Sequence, residues 1–206
     1  MTPELQLKYR WPLAMPRCPE DWMGWLCPDT AQALKDHVND ETRLVVECGT
    51  WLGVSAKAIL THAPLAHLLC IDTWMGAPEH WADRRADGSP GDWAKRLPTL
   101  YETCQRNLWP WRERVTMIRR DSLVGLGEVF QAGLVPDMIY LDTKHSLGRV
   151  TAELALCLEL FPSSPVVGDD YSNGAVALAA DLHAKTLGRP IEKRGAAFAF
   201  PAWRNV

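Results

Sequence analysis

The chain predicts an α/β fold with an open, mostly parallel, doubly wound sheet, and three observations carry that prediction. Short apolar runs, several ending in an acidic residue, alternate with helix-forming segments along the chain. The first of these runs opens into a turn bearing Gly49 and Gly53, followed by a helix start. The C-terminal segment holds two short strand candidates joined by Gly195, as an antiparallel hairpin would.

Residues 1–41 are expected to form an N-terminal cap segment and helix ahead of the main domain, 42–206. Met1 to Pro28 are rich in Pro and Trp without a clean period, which suits a wrapping cap or a partner surface. Asp29 to Asn39 predicts a helix capped by Asp29 or Thr30 and packed through Ala33, Leu34 and Val38. Leu44-Val-Val-Glu-Cys-Gly-Thr-Trp-Leu-Gly53, continued by Val54-Ser-Ala-Lys-Ala-Ile-Leu60, reads as buried strand, glycine turn and helix. Bare backbone at a crevice, helix amides facing it and the Glu47 carboxylate beside them are what a nucleoside-bearing cofactor needs. His67-Leu-Leu-Cys-Ile-Asp72 is the second strand. Asp72 falls 25 residues after Glu47, close to the roughly 20-residue step at which a second-strand acid meets ribose hydroxyls. The insertion at 73–98 sets Trp74, Trp81 and Trp93 around Gly88-Ser-Pro-Gly91. It is too long for an ordinary connection and predicts a lid or binding loop. Val115 to Arg119 is the third strand, with Asp121-Ser122 just beyond it.

Pro136-Asp-Met-Ile-Tyr-Leu-Asp142 and Ser163-Ser-Pro-Val-Val-Gly168 are the fourth and fifth strands. The first leads through Thr143-Lys144-His145-Ser146 into a helix, and the second into Asp169-Asp170-Tyr171. Parallel strands end on one edge, so Asp142, Asp169 and Asp170 are expected to converge there. Close carboxylates repel one another, and a divalent cation that prefers oxygen, Mg²⁺ or a relative, balances them. Asn173 to Leu187 predicts a helix with a stripe of Val176, Ala179, Ala180, Leu182 and His183, ended by Gly188-Arg-Pro190. Ile191 to Arg194 and Ala196 to Phe200 complete the hairpin.

Four fragments in this order and spacing, Glu-Cys-Gly-Thr-Trp-Leu-Gly, Ile-Asp-Thr-Trp-Met-Gly, Tyr-Leu-Asp-Thr-Lys-His-Ser and Val-Gly-Asp-Asp-Tyr, give the chain a family likeness. From Thr42 to Pro201 it resembles class I S-adenosylmethionine-dependent methyltransferases. The likeness is closest to the metal-dependent branch with macrocin- and mycinamicin-type sugar O-methyltransferases and cephalosporin-hydroxylase-like proteins. The resemblance implies a Rossmann-like sheet of seven strands with one reversed. It implies that Glu47, Gly49, Thr50 and Gly53 wrap the methionine part of the cofactor, with Trp51, which stands where many relatives have a glycine, Ser55, Thr73 and Trp74 as further cofactor-binding positions. Asp72 then takes the ribose, Asp121 and Ser122 the adenine side, and Asp142 touches both cofactor and metal. Asp142, Asp169 and Asp170 match the metal site, and His145 the general base. Lys144 stands where relatives often carry an aspartate, which moves the base assignment to His145.

The chemistry that follows is methyl transfer to a hydroxyl. A sulfonium methyl is already activated, so the protein must align a nucleophile and help it lose a proton; alignment contributes about 7–11 kcal/mol. A metal ion acidifies and orients the hydroxyl, and an imidazole with an ordinary pKa of about 6.5 can take its proton. Asp142 and His145 are the expected catalytic pair. The expected acceptor is a small hydroxylated molecule such as a sugar or glycosylated metabolite. A non-catalytic S-adenosylmethionine-binding partner protein on the same fold is the alternative, and a dehydrogenase is disfavoured because the turn lacks the G-x-G-x-x-G order.

With 206 residues and a net charge of −3, the chain suits a one-domain enzyme without the basic footprint of a nucleic-acid binder. No stretch is apolar enough for a membrane span. Its six cysteines form no Cys-x-x-Cys pair and read as thiols in a reducing, cytoplasmic compartment. Homo-oligomerisation is left open.

Overall fold

The computed structural model describes residues 2–18 and 22–202. Residues 1 and 19–21 of the expected cap and 203–206 of the expected domain lie outside the described residues. Seven strands form one sheet: β1 (Leu44–Cys48), β2 (His67–Asp72), β3 (Val115–Arg119), β4 (Met138–Leu141), β5 (Val166–Gly168), β6 (Glu192–Arg194) and β7 (Ala197–Phe200). Their order is β3-β2-β1-β4-β5-β7-β6, parallel except for β7, which runs antiparallel to both neighbours. This is the expected α/β architecture, with the single reversal made by the C-terminal hairpin.

The nine α-helices among the described residues are α1 (Pro3–Lys8), α2 (Pro28–His37), α3 (Val54–His62), α4 (Pro78–Trp81), α5 (Asp92–Arg96), α6 (Leu100–Leu108), α7 (Ser122–Gln131), α8 (Leu147–Leu160) and α9 (Gly174–Leu187). Strand side chains alternate between two apolar layers. Val45, Leu68, Met117 and Tyr140 face α2, α3 and α6, while Val46, Leu69, Ile118 and Ile139 face α7, α8 and α9. Both faces are therefore covered, as a parallel sheet requires.

Several local expectations are corrected. Helix α2 begins one residue early: Pro28 takes the first position, where its missing N–H costs nothing. The Cys27 thiol is the cap, accepting the Thr30 N–H at 3.4 Å. Val176, Ala179 and Ala180 of α9 are buried, but Leu182 is exposed, because it lies about 240° round the helix from Val176. Helix α6 is absent from the predicted elements, although Leu100, Cys104 and Leu108 mark its buried stripe. The insertion is folded, its two short helices joined across an Arg84–Pro90 bridge.

The N-terminal segment is pinned by polar contacts. Tyr9 donates to Glu128 Oε2 at 2.6 Å, and Trp11 Nε1 to the Val115 carbonyl at 2.7 Å. Cys48, Cys70, Cys104 and Cys157 are buried thiols, and all six cysteines are free. Among the described residues no helix is long and apolar enough to cross a membrane.

Candidate active site

The strands' C-terminal ends gather the predicted residues along one edge. Gly49 has φ +89°, and a Cβ there would lie 1.7 Å from the Asp142 carbonyl oxygen, so only glycine lets the β1 and β4 turns meet. Gly53, at φ +84°, is the N-cap position of α3 and abuts Leu108. Trp51, Trp74 and Asp170 are the non-glycine residues with positive φ among the described residues. All three stand on this edge, where backbone strain of about 1–3 kcal/mol each is characteristic of binding sites.

Glu47 is fully buried on β1, accepting from Ser55 Oγ at 2.5 Å and from the Cys70 thiol at 3.7 Å. Burial pushes its carboxyl up to about 7, with Ser55 and Thr50 pulling the other way. Thr50 is near enough to ease the charge, yet its buried Oγ1 has no hydrogen-bond partner of ordinary geometry. Folding favours the protonated acid, so Glu47's contribution to stability is complete below 4.5 and is lost as pH rises through about 7. Glu47→Gln is expected to stabilise the cofactor-free protein at pH 8 by roughly 1–3 kcal/mol and to flatten its melting temperature between those pH values. Melts across that range check it; an unchanged profile contradicts it.

Asp72 is committed to backbone. Its Oδ2 accepts from Trp51 N–H at 2.8 Å and its Oδ1 from Trp74 N–H at 2.7 Å. Burial raises its pKa, and the Trp51, Trp74 and Thr73 amides oppose the rise. With four lone pairs, the carboxylate keeps room for a further donor. Trp74 is buried, donating Nε1 to the Trp51 carbonyl at 2.9 Å, and Thr73 Oγ1 accepts from Met75 N–H.

The predicted aspartate trio is met in part. Asp142, His145 and Asp170 bring one ligand atom each to within 4.8 Å of one another. His145 Nε2 is 3.5 Å from Asp142 Oδ1 and 2.8 Å from Asp170 Oδ2. Asp169 is turned aside: its Oδ1 accepts from Thr30 Oγ1 at 2.6 Å and from Asp170 N–H at 2.8 Å. Tyr140 joins the two groups, its hydroxyl 3.4 Å from Asp142 Oδ2 and from Asp169 Oδ2. Asp142 and Asp170 together hold a proton on His145 and push its pKa up to about 10. Asp142 is itself raised by burial, whereas the His145 hydrogen bond lowers Asp170. Lys144 is exposed beside this group.

Asp121 caps α7 by accepting the Leu123 N–H at 3.1 Å, and its other oxygen takes Arg149 Nη2 at 2.8 Å. Ser122 is buried and donates to Glu153. Arg149, Glu153, Thr143, Tyr140 and Thr30 contact the predicted residues or one another here and were not among those predicted. The Arg149/Glu153 spacing of four on α8 was their one visible signal.

Aromatic rings from three segments cover the glycine turn. Trp51 lies 5.5 Å from Trp22 and 5.2 Å from His80, and Trp93 stacks on His80 at 5.0 Å. Trp25 meets Trp93 at 5.7 Å and is largely exposed. The insertion and the N-terminal segment thus meet over the turn, while Trp81 of the insertion is partly exposed and donates Nε1 to the Met75 carbonyl at 2.6 Å.

Sheet order and the acid-lined edge define a doubly wound α/β protein whose ligand crevice lies at the strand ends. The profile of a methyltransferase domain family matches residues 46–171, from β1 to the turn after β5, and the chain belongs to that family. No curated protein sequence matches it. A Staphylococcus aureus protein described as a caffeoyl-CoA O-methyltransferase superposes with a TM-score of 0.60 at 14% identity, over 87% of this chain and 86% of that one. The O-methyltransferase TomG of Streptomyces achromogenes, solved with SAM, gives 0.57 at 15%, over 85% and 78%. CalS11, the TDP-rhamnose 3'-O-methyltransferase of calicheamicin biosynthesis, gives 0.53 at 17%, over 84% and 77%. At these identities the likeness is one of fold. The enzyme class expected from the sequence, a methyltransferase, is met in family and in fold.

Proposed function

We propose that the protein transfers a methyl group from S-adenosylmethionine to a hydroxyl of a small molecule, a sugar or glycosylated metabolite, with a divalent cation assisting. The observation that carries this reading is the contact of Gly49 with the Asp142 backbone, which sets a cofactor-type glycine turn against the Asp142–His145–Asp170 group. The residues fit the cofactor: a glycine no larger residue can replace, beside a buried Glu47 carboxylate and a buried Thr50 hydroxyl without a hydrogen bond of ordinary geometry. Glu47 would receive the methionine ammonium, Asp72 the ribose hydroxyls, and Asp121 with Ser122 the adenine side. Solved relatives in fold that carry SAM and methylate a nucleotide sugar support the cofactor and the acceptor class.

Asp142 and Asp170 would hold a hard divalent cation through their carboxylate oxygens, with His145 beside them. Bound there, such a cation would supply Lewis acidity to an acceptor hydroxyl. His145, once neutral, accepts the hydroxyl proton. Asp170 keeps the ring in place, and Tyr140 orients Asp142 from below.

Calorimetric titration of chelator-treated protein with S-adenosylmethionine, with and without Mg²⁺, tests the proposal. Saturable cofactor binding and a separate metal isotherm are expected, and absence of cofactor binding overturns it. In the same assay Asp170→Ala should abolish the metal isotherm and keep cofactor affinity; undiminished metal binding by that variant removes the cation from the reading.

A further inference from the structure

Arg149 and Glu153 lie four residues apart on α8, on one helix face. Glu153 is almost wholly buried, and its carboxylate gathers donors from three elements. Ser122 Oγ comes from the first residue of α7, Thr143 Oγ1 from the turn after β4 at 2.5 Å, and Arg149 Nε from its own helix at 2.7 Å. The far end of the guanidinium reaches Asp121 Oδ2 at 2.8 Å and also Ser122 Oγ.

Holding α8 on the sheet does not require this. Val150, Leu154, Cys157 and Leu158 already pack the helix against the core. A buried charged group is often no more stabilising than an apolar residue of its size. What the network does fix is geometry. Ser122 follows Asp121 in the chain, and Thr143 follows Asp142, so Glu153 grips the immediate neighbour of one acid in each turn.

We propose that Arg149 and Glu153 are positioning residues that set the spacing between the Asp121–Ser122 turn and the Asp142–His145 turn. The inference rests on the methyl-transfer reading above. Those turns would hold the adenine end of the cofactor and the acceptor end of the reaction, and misplacement by about 1 Å can cost roughly 10²-fold in rate.

The test is S-adenosylhomocysteine affinity, by calorimetry on the full chain, alongside thermal melts. Arg149→Met should weaken binding about tenfold, and Arg149→Lys, which keeps the charge, should recover part of it. Thr143→Val and Ser122→Ala each remove one hydroxyl from Glu153 and should each cost about fivefold. Their double variant should cost clearly less than the product, because one carboxylate couples them. Should Arg149→Met fail to fold, that double-variant cycle decides. Multiplicative effects, or wild-type affinity in Thr143→Val, overturn the proposal and leave the methyl-transfer reading standing. Wild-type protein that binds no S-adenosylhomocysteine overturns both.

Discussion

His145→Ala is expected to lower turnover by roughly 10²- to 10⁴-fold, the usual worth of a positioned acid–base group, with S-adenosylhomocysteine affinity unchanged. The ring touches Asp142 and Asp170, while Asp72, Glu47 and Asp121 have their own partners. Steady-state rates beside calorimetry check it, and near-wild-type turnover would take the imidazole out of the chemistry. The same contacts give a pH dependence to the metal-free fold. Because folding raises the ring's pKa from 6.5 to about 10, its contribution to stability is whole below 6.5 and is lost as pH rises through about 10. The side chain is 42% exposed, so solvent screens the ion pairs and keeps that contribution small. Melts of His145→Gln should lack the alkaline decline.

Gly49→Ala is expected to be the most damaging single-methyl addition on the edge. A left-handed backbone costs an L-residue about 1–2 kcal/mol. The new Cβ would also lie 2.5 Å from the Asp142 carbonyl carbon, so one turn must move. Movement endangers the Gly49 N–H bond to the Ile71 carbonyl, 2.8 Å long, which is worth about 1 kcal/mol. A total near 3 kcal/mol corresponds to a melting temperature lower by roughly 6–12 °C in a chain of this size. Cofactor and metal affinity should fall together, since the Asp142 turn shifts with the clash. Gly127→Ala is the control: it lies within α7 with open space around its Cβ position and should be neutral or stabilising by about 0.5–1 kcal/mol. Equal melting temperatures for the two variants would refute the account.

The strand framework was legible because burial on both faces forces near-continuous apolar runs, and Glu47, Asp72 and Asp142 each lie at or beside the end of one. Gly49 was legible by its place after β1, though its contact with Asp142 needs β1 and β4 as neighbours, a fact of topology. Asp169 could not be oriented from sequence. Two successive strand-end acids differ only in backbone torsion, and it is the left-handed Asp170 that sends the carboxylates apart. Thr30, which holds Asp169, lies 139 positions away. Arg149 and Glu153 carried only a helical spacing that usually marks a solvated ion pair. The Glu153 partners Ser122 and Thr143 lie on two other elements, which the spacing does not show. The meeting of Trp22, Trp51 and Trp93 likewise joins segments whose composition hinted at a lid and whose partners only folding supplies.

That meeting makes the molecule its own optical probe. Indoles 5.5–6.0 Å apart, as Trp22, Trp51 and Trp93 are, exchange excitation, and their coupled transitions split the ultraviolet circular dichroism. Trp51 sits on the glycine turn and Trp93 on the insertion, so any change in how the two segments sit is written into that signal.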